Sequence, residues 1–206
     1  MTTSTIPHVV IERLPLYLRC VALLLAQGQT VISSQEMATN LGISSAQIRK
    51  DLSYFGEFGK QGMGYDLCFL KQQLERILNL HQTWRVILIG AGDLGHALAN
   101  FRGFQERGFE IAAVFDNDPA KVGQLLGDCL VQHVDTLEAT VRKEGIKVAI
   151  IAVPAAQAPI VAGKLVAAGI EAILNYAPVS LSLPPEVHVS YIDPLASLQS
   201  MTYYLD

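Results

Sequence analysis

Hydrophobic and polar positions change rhythm partway along the chain. Up to about residue 80 the apolar residues follow helical spacing, interrupted by one glycine cluster. The stretch 16–26 is apolar enough for a core helix, with Pro15 in its first turn and Gly28 ending it. Ser33-x-x-Glu36 reads as a capping box that opens a short helix to Asn40, with Gly42 as its stop. Ser44-x-x-Gln47 reads as a second box, opening a helix to Phe55. Two helices about a tight glycine-containing turn predict a helix-turn-helix. Four glycines between Gly56 and Tyr65 suit a small β-wing, and Leu67, Leu70, Leu74, Ile77 and Leu78 predict a helix over 67–80.

Beyond residue 85 short apolar runs alternate with helical stretches. Strands are expected at 86–89, 111–115, 148–153, 172–174 and 187–192, with helices at 94–106, 136–144 and 160–168. Near-continuous apolar strands joined by helices predict an α/β fold with a doubly wound parallel sheet, covered on both faces. The pattern divides the chain into a winged helix-turn-helix domain over 1–82, a Rossmann-type domain over 83–193 and a terminal helix over 194–206. Leu195, Leu198, Met201, Tyr204 and Leu205 form an apolar stripe on that last helix, suited either to its own sheet or to a second subunit.

Composition narrows the class. Half of the 206 residues are hydrophobic and 17% are charged, which excludes a disordered chain. No apolar run is long enough for a membrane span, and residues 1–7 lack the apolar core of a signal peptide. A cytoplasmic protein without a membrane partner is expected. Cys20, Cys68 and Cys129 are too scattered for a disulfide framework, and the five histidines show no metal-ligand spacing. The net charge of −4 is uneven: 7 basic against 6 acidic residues over 1–84, and 8 against 13 over 85–206. Any contact with nucleic acid must therefore come from a local patch in the first part.

Residues 86–116 carry the strongest chemical signal. An apolar strand runs into Gly90-x-Gly92-x-x-Gly95, a helix follows, and a second apolar strand ends on Asp116, 21 residues past Gly95. This is the dinucleotide fingerprint in its structural context. Gly90 permits the turn, Gly92 lets backbone approach a pyrophosphate, and Gly95 lets the helix pack close to the sheet. Backbone around Ala91, Gly92, Asp93 and Leu94, at the positive end of the helix dipole, is expected to hold phosphate. Asp116 would accept hydrogen bonds from a ribose diol, and with Asp118 it would repel a 2′-phosphate, favouring NAD(H) as the cofactor. Asp93 is the discordant residue, a carboxylate inside an anion-binding loop. Val153-Pro154 and Asn175-Tyr176-Ala177-Pro178 follow later strands and are candidates to line a nicotinamide pocket. These segments offer no general acid or base, and about 120 residues leave no room for a substrate domain. The pattern suits binding, not turnover, so no catalytic residue is assigned.

On the second helix of the helix-turn-helix, Ile48, Leu52 and Phe55 share one face and should be buried. The other side presents Ser45, Ala46, Gln47, Arg49, Lys50, Ser53 and Tyr54. Small residues among basic and amide ones suit entry into a major groove, where Arg or Lys reads guanine and Gln reads adenine. Lys60 in the wing could add a further DNA contact. The modest charge implies few phosphate contacts per subunit, so tight binding would need a dimer.

Arg13-Leu14-Pro15-Leu16-Tyr17, Ser33-Ser34, Ile48-Arg49-Lys50-Asp51-Leu52-Ser53-Tyr54-Phe55-Gly56-Glu57 and Gly59-Lys60-x-Gly62-x-Gly64-Tyr65 resemble the DNA-binding half of the redox-sensing repressor family Rex. Gly90-x-Gly92-x-Leu94-Gly95, Phe115-Asp116-x-Asp118-Pro119-x-Lys121-Val122-Gly123, Val153-Pro154, Ala168-Gly169-Ile170 and Leu174-Asn175-Tyr176-Ala177-Pro178 resemble its nucleotide-binding half. The resemblance covers nearly the whole chain. It implies a homodimer with a swapped C-terminal helix, here about 195–205, and a repressor that holds pseudo-palindromic operator DNA until NADH accumulates. By position it also implies an inter-subunit ion pair of Arg19 with Asp193 that differs between two states. Glu12, Gln61, Asp93 and Phe101 depart from the family pattern. The alternatives are an NAD-dependent oxidoreductase, or a CoA-binding regulatory domain fused to a helix-turn-helix.

Overall fold

The computed structural model describes residues 6–60 and 63–205, with the Lys60 side chain left out. Two compact units are present, 1–82 and 83–206. The first comprises α1 (His8–Ala26), β1 (Val31–Ile32), α2 (Ser34–Leu41), α3 (Ser45–Ser53), β2 (Gly59–Lys60), β3 (Gly64–Asp66) and α4 (Leu67–Ile77). Its strands form a small antiparallel sheet in the order β1-β3-β2, which gives the wing after the helix-turn-helix pair α2/α3.

This unit differs locally from the sequence pattern. Helix α1 begins at His8, so Pro15 lies inside it instead of in its first turn. Proline keeps a helical φ and forfeits one backbone bond. Burial of Val10, Leu14, Tyr17 and Val21 along one stripe carries the helix through that loss. The capping box on α2 is complete: Glu36 N donates to Ser33 Oγ at 3.1 Å and Ser33 N donates to Glu36 Oε2 at 2.9 Å. The second box is only half made. Ser44 Oγ accepts from Gln47 N at 3.2 Å, but the Gln47 amide turns along α3 to Asp51 instead of back to the cap. Helix α3 stops at Ser53, two residues before Phe55.

Ile48 and Leu52 of α3 pack with Leu14 and Tyr17 of α1, Met37 of α2 and Leu67, Leu70 and Leu74 of α4. Within this apolar core sits Asp51, with no exposed surface. Arg13 of α1 grips it with two bonds, Nε to Oδ2 at 2.6 Å and Nη2 to Oδ1 at 2.8 Å. Tyr17 Oη donates to Oδ2 at 2.6 Å, and Gln47 Nε2 to Oδ1 at 2.6 Å. Burial by itself pushes the Asp51 carboxyl up. The bonds from Arg13, Tyr17 and Gln47, with the Arg13 charge, outweigh it and hold the group below the usual carboxylate range.

The second unit contains β4 (Trp84–Ile89), α5 (Asp93–Ala99), β5 (Phe109–Asp116), β6 (Leu125–Leu126), β7 (Cys129–His133), α6 (Leu137–Glu144), β8 (Val148–Ile151), α7 (Ala158–Ala168), β9 (Ala172–Asn175), β10 (His188–Tyr191) and α8 (Pro194–Thr202). The seven-stranded sheet has the order β10-β9-β8-β4-β5-β7-β6, parallel except for the edge strand β6. The chain moves outward from β4 in one direction and from β8 in the other, so the switch point lies between β4 and β8. Ile87, Ile89, Phe115 and Ile151 pack against α6 and α7, and Val86, Leu88, Val114 and Ile150 against Leu98 of α5, Leu126 and Val131.

Helix α5 is shorter than the expected 94–106. Asn100 ends it, its Nδ2 bonding back to His96 O at 2.8 Å, and 105–107 form a separate helical turn. Between β5 and β7 there is no helix but a loop and the β6/β7 hairpin, turning at Gly127-Asp128, and β9 joins β10 without a helix. Helix α8 is exposed along its length, Leu195, Leu198 and Met201 included, so the chain's own sheet does not bury its apolar stripe.

Arg13→Ala should leave Asp51 charged and buried without its main partner, costing about 3–5 kcal/mol at neutral pH. An ionised Asp51 stabilises the fold above its unfolded pKa of about 3.9, and this contribution is lost as pH falls through its lower folded value. The gap between wild type and Arg13→Ala, measured by urea unfolding, should therefore narrow below about pH 4.

Candidate nucleotide cleft and nucleic-acid face

The loop after β4 is built by backbone crowding. Gly90 has φ +107°, and a Cβ there would overlap the Ala152 carbonyl oxygen. A Cβ on Gly95 would overlap the Gly90 carbonyl oxygen, so α5 starts in contact with the end of β4. Gly92 differs from both: it caps α5, and a Cβ there would meet nothing within 4 Å. As the cap, Gly92 adjoins the N–H groups of the first turn of α5, which have no intrahelical acceptors. An anionic group fits this space on steric and dipolar grounds.

A cleft of about 510 Å³ opens beside this loop. Gly90, Gly92, Asp116, Asp118, Val153 and Pro154, all singled out from the sequence, line it. Asp116 is buried and accepts three bonds: Ala91 N to Oδ2 at 2.7 Å, Asp118 N to Oδ1 at 2.9 Å, and Lys121 Nζ to Oδ2 at 3.2 Å. Burial pushes its carboxyl up, and these donors with the Lys121 charge bring it below the ordinary range. Ala91 therefore holds the carboxylate with its N–H and does not offer it to phosphate. Oδ1, with one donor, keeps capacity for a ribose hydroxyl. Asp118 is half-buried, and its Oδ1 accepts from Ala120 N at 2.9 Å.

Asp93 is the first residue of α5 and is exposed; neither it nor Leu94 lines the cleft. A carboxylate at that end of a helix is favoured by the dipole, which offsets its poor match to an anion. Asn175, a candidate for the nicotinamide pocket, has its amide already engaged. It is fully buried, donating to Ala177 O at 3.1 Å and Val179 O at 3.0 Å and accepting from Ala177 N at 3.0 Å. Its amide closes its own loop, and Tyr176, Ala177 and Pro178 are likewise absent from the cleft wall.

Sequence reasoning missed one wall. Gln157, Ile160, Val161 and Lys164 face the cleft from α7 and its cap, and Lys121 and Val134 complete it. The i, i+3, i+4, i+7 spacing on α7 was the available signal. It stayed silent because α7 is apolar nearly all round.

On α3 and its C-terminal cap, Ala46, Arg49, Lys50 and Ser53 are exposed, while Ser45, Gln47 and the cap Tyr54 are half-buried. Arg49 Nη1 donates to Ser34 Oγ of α2 at 2.9 Å, and Ser53 Oγ to Lys50 O at 2.7 Å. The side chain of Lys60, and Gln61 altogether, lie outside the described residues. Arg19 is exposed on α1. Asp193 caps α8, its Oδ1 accepting from Leu195 N at 3.0 Å and Ala196 N at 3.1 Å. The two belong to different units.

A winged helix-turn-helix and a dinucleotide-type sheet on one chain define a nucleotide-linked transcription regulator. Comparison with known proteins narrows the class. The family described as putative DNA-binding protein N-terminus matches residues 5–53, and that described as CoA binding domain matches 81–179. The redox-sensing transcriptional repressor Rex of Chloroflexus aurantiacus is 56% identical over 97% of this chain and 94% of its own length. That of Streptomyces coelicolor is 43% identical over 97% of this chain and 77% of its own length. The crystal structure of RSP in complex with β-NAD⁺ and operator DNA matches with a TM-score of 0.93 and 38% identity, covering 98% of this chain and 93% of that one. The crystal structure of RSP in complex with β-NADH matches at 0.89 and 36%, covering 98% and 95%. The chain belongs to the Rex family of redox-sensing transcriptional repressors.

Gly95→Ala should destabilise the second unit by about 1–3 kcal/mol, since a backbone carbonyl cannot yield. Gly92→Ala should shift thermal unfolding little, because its Cβ enters open space. Calorimetry on both variants tests this contrast.

Proposed function

We propose that this chain is a cytoplasmic, homodimeric repressor that reads the NADH/NAD⁺ ratio and leaves its operator when NADH binds. The observation that carries the reading is a full-length fold match to a repressor solved with both operator DNA and NAD⁺, at 38% identity. Residues 1–82 would bind DNA, 83–193 would bind NAD(H), and 194–206 would dimerise the chain. The exposed stripe of α8 fits exchange with a second copy, with Arg19 and Asp193 as the candidate state-dependent pair. Gly92 and the first turn of α5 would hold the pyrophosphate, with Asp116 and Asp118 at the ribose. Ser45, Ala46, Gln47, Arg49, Lys50, Ser53, Tyr54 and Lys60 would face DNA.

Discrimination between the two ligands needs only a modest physical difference. Oxidised nicotinamide carries a positive ring, which apolar surroundings penalise more than the neutral reduced ring. Release of DNA further requires that NADH favour the dimer state with the lower operator affinity. Operator DNA then weakens NADH binding by the same factor. A CoA ligand is the second reading, favoured by the family match over 81–179. The Asp116/Asp118 pair argues against it, because CoA carries a phosphate on its ribose.

A labelled pseudo-palindromic operator duplex followed by fluorescence anisotropy should be released by NADH, and not by comparable NAD⁺ or CoA. Gly92→Val should keep operator affinity and lose the NADH response. Release by CoA, or equal NADH affinity with and without operator, would overturn the reading.

A further inference from the structure

We infer that Asp51 is a positioning residue for base reading: it fixes which end of the Gln47 amide faces outward from α3. This rests on the DNA-binding reading above and deepens it. Gln47 is one turn before Asp51 on the same helix, and its Nε2 donates to Oδ1 at 2.6 Å. An ionised carboxylate only accepts hydrogen bonds, so the amide must turn its NH₂ end toward Asp51. The flipped amide would set oxygen against oxygen.

The carboxylate itself cannot turn to accommodate a flip. The Arg13 fork holds both of its oxygens and Tyr17 Oη holds Oδ2, all from α1. Gln47 is half-buried on a helix whose neighbours Ala46, Arg49 and Lys50 are exposed. The locked amide keeps Oε1 and its second N–H for an outside partner. That acceptor–donor pair matches N6 and N7 of adenine in the major groove, whereas guanine would set its O6 against Oε1. A free glutamine would lose rotamer entropy on binding, and this one is already ordered. A carboxylate that never touches DNA thus sets selectivity at one position of each half-site.

The test uses the full-length chain and a panel of operator duplexes with each half-site position substituted in turn, at fixed salt. Wild type should discriminate against substitution at one adenine by on the order of tenfold or more. Gln47→Met should lose that discrimination and no other. Asp51→Asn, whose amide can donate as well as accept, should flatten the same position. In the Gln47→Met background it should not change the pattern further. Should Asp51→Asn fail to fold, Tyr17→Phe keeps the charge pair, removes one of the two donors that hold Oδ2, and by loosening the carboxylate should produce a smaller loss at the same position. Uniform weakening across the panel by Asp51→Asn or Tyr17→Phe, or a Gln47→Met profile identical to wild type, would overturn the inference. A wild-type chain that bound no duplex would instead remove the DNA-binding reading, and the inference with it.

Discussion

The nucleotide half depends on how closely backbone meets backbone at the end of β4. Gly90 fits beneath the Ala152 carbonyl, and α5 begins against the Gly90 carbonyl because Gly95 has no side chain. The same contacts set Gly92, the cap of α5, in the wall of the cleft, next to first-turn N–H groups that lack intrahelical acceptors and favour an anion. Asp116 completes the arrangement by binding the Ala91 N–H across from β5. Position, dipole and open space at Gly92 all follow from three missing methyl groups.

Among the described residues each unit holds one buried, ionised carboxylate, and each uses it as a brace between elements. Asp51 joins α1 to α3 through Arg13 and Tyr17, and Asp116 joins β5 to the glycine loop and to Lys121. A buried charge pair is a weak source of net stability, but removing one of its partners is strongly destabilising. In both cases the group that is fixed lies beside the surface expected to meet a ligand. Lys121 also tempers the negative charge of Asp116, so in the proposed function rejection of a 2′-phosphate would fall more heavily on Asp118.

Much of the architecture was legible in the chain. Ser33 with Glu36, Gly42, the apolar strands and the glycine fingerprint are local signals, and the structure reproduces the elements they predict. The β6/β7 hairpin was not, because two-residue strands around Gly127-Asp128 leave too short a pattern to detect. The extension of α1 through Pro15 was hidden for a different reason: only tertiary burial of one stripe outweighs the local cost of proline. Asn175 looked available as an amide at a strand end, and its engagement with Ala177 and Val179 emerges only when the loop folds back.

The sequence by itself determined the succession of most elements, the presence of a dinucleotide-type loop and the polar outer face of the second helix of the helix-turn-helix. These depend on periodicity and on residues within a few positions of one another. Tertiary structure decided which polar groups are free and which are already bonded. Asp51 is engaged with Gln47 and with Arg13 and Tyr17 of α1, Ala91 with Asp116, and α7 supplies a cleft wall that its composition hid. Hydrogen bonds between residues 25 or 38 positions apart have no local signature, because the chain must first bury its apolar faces to bring them together.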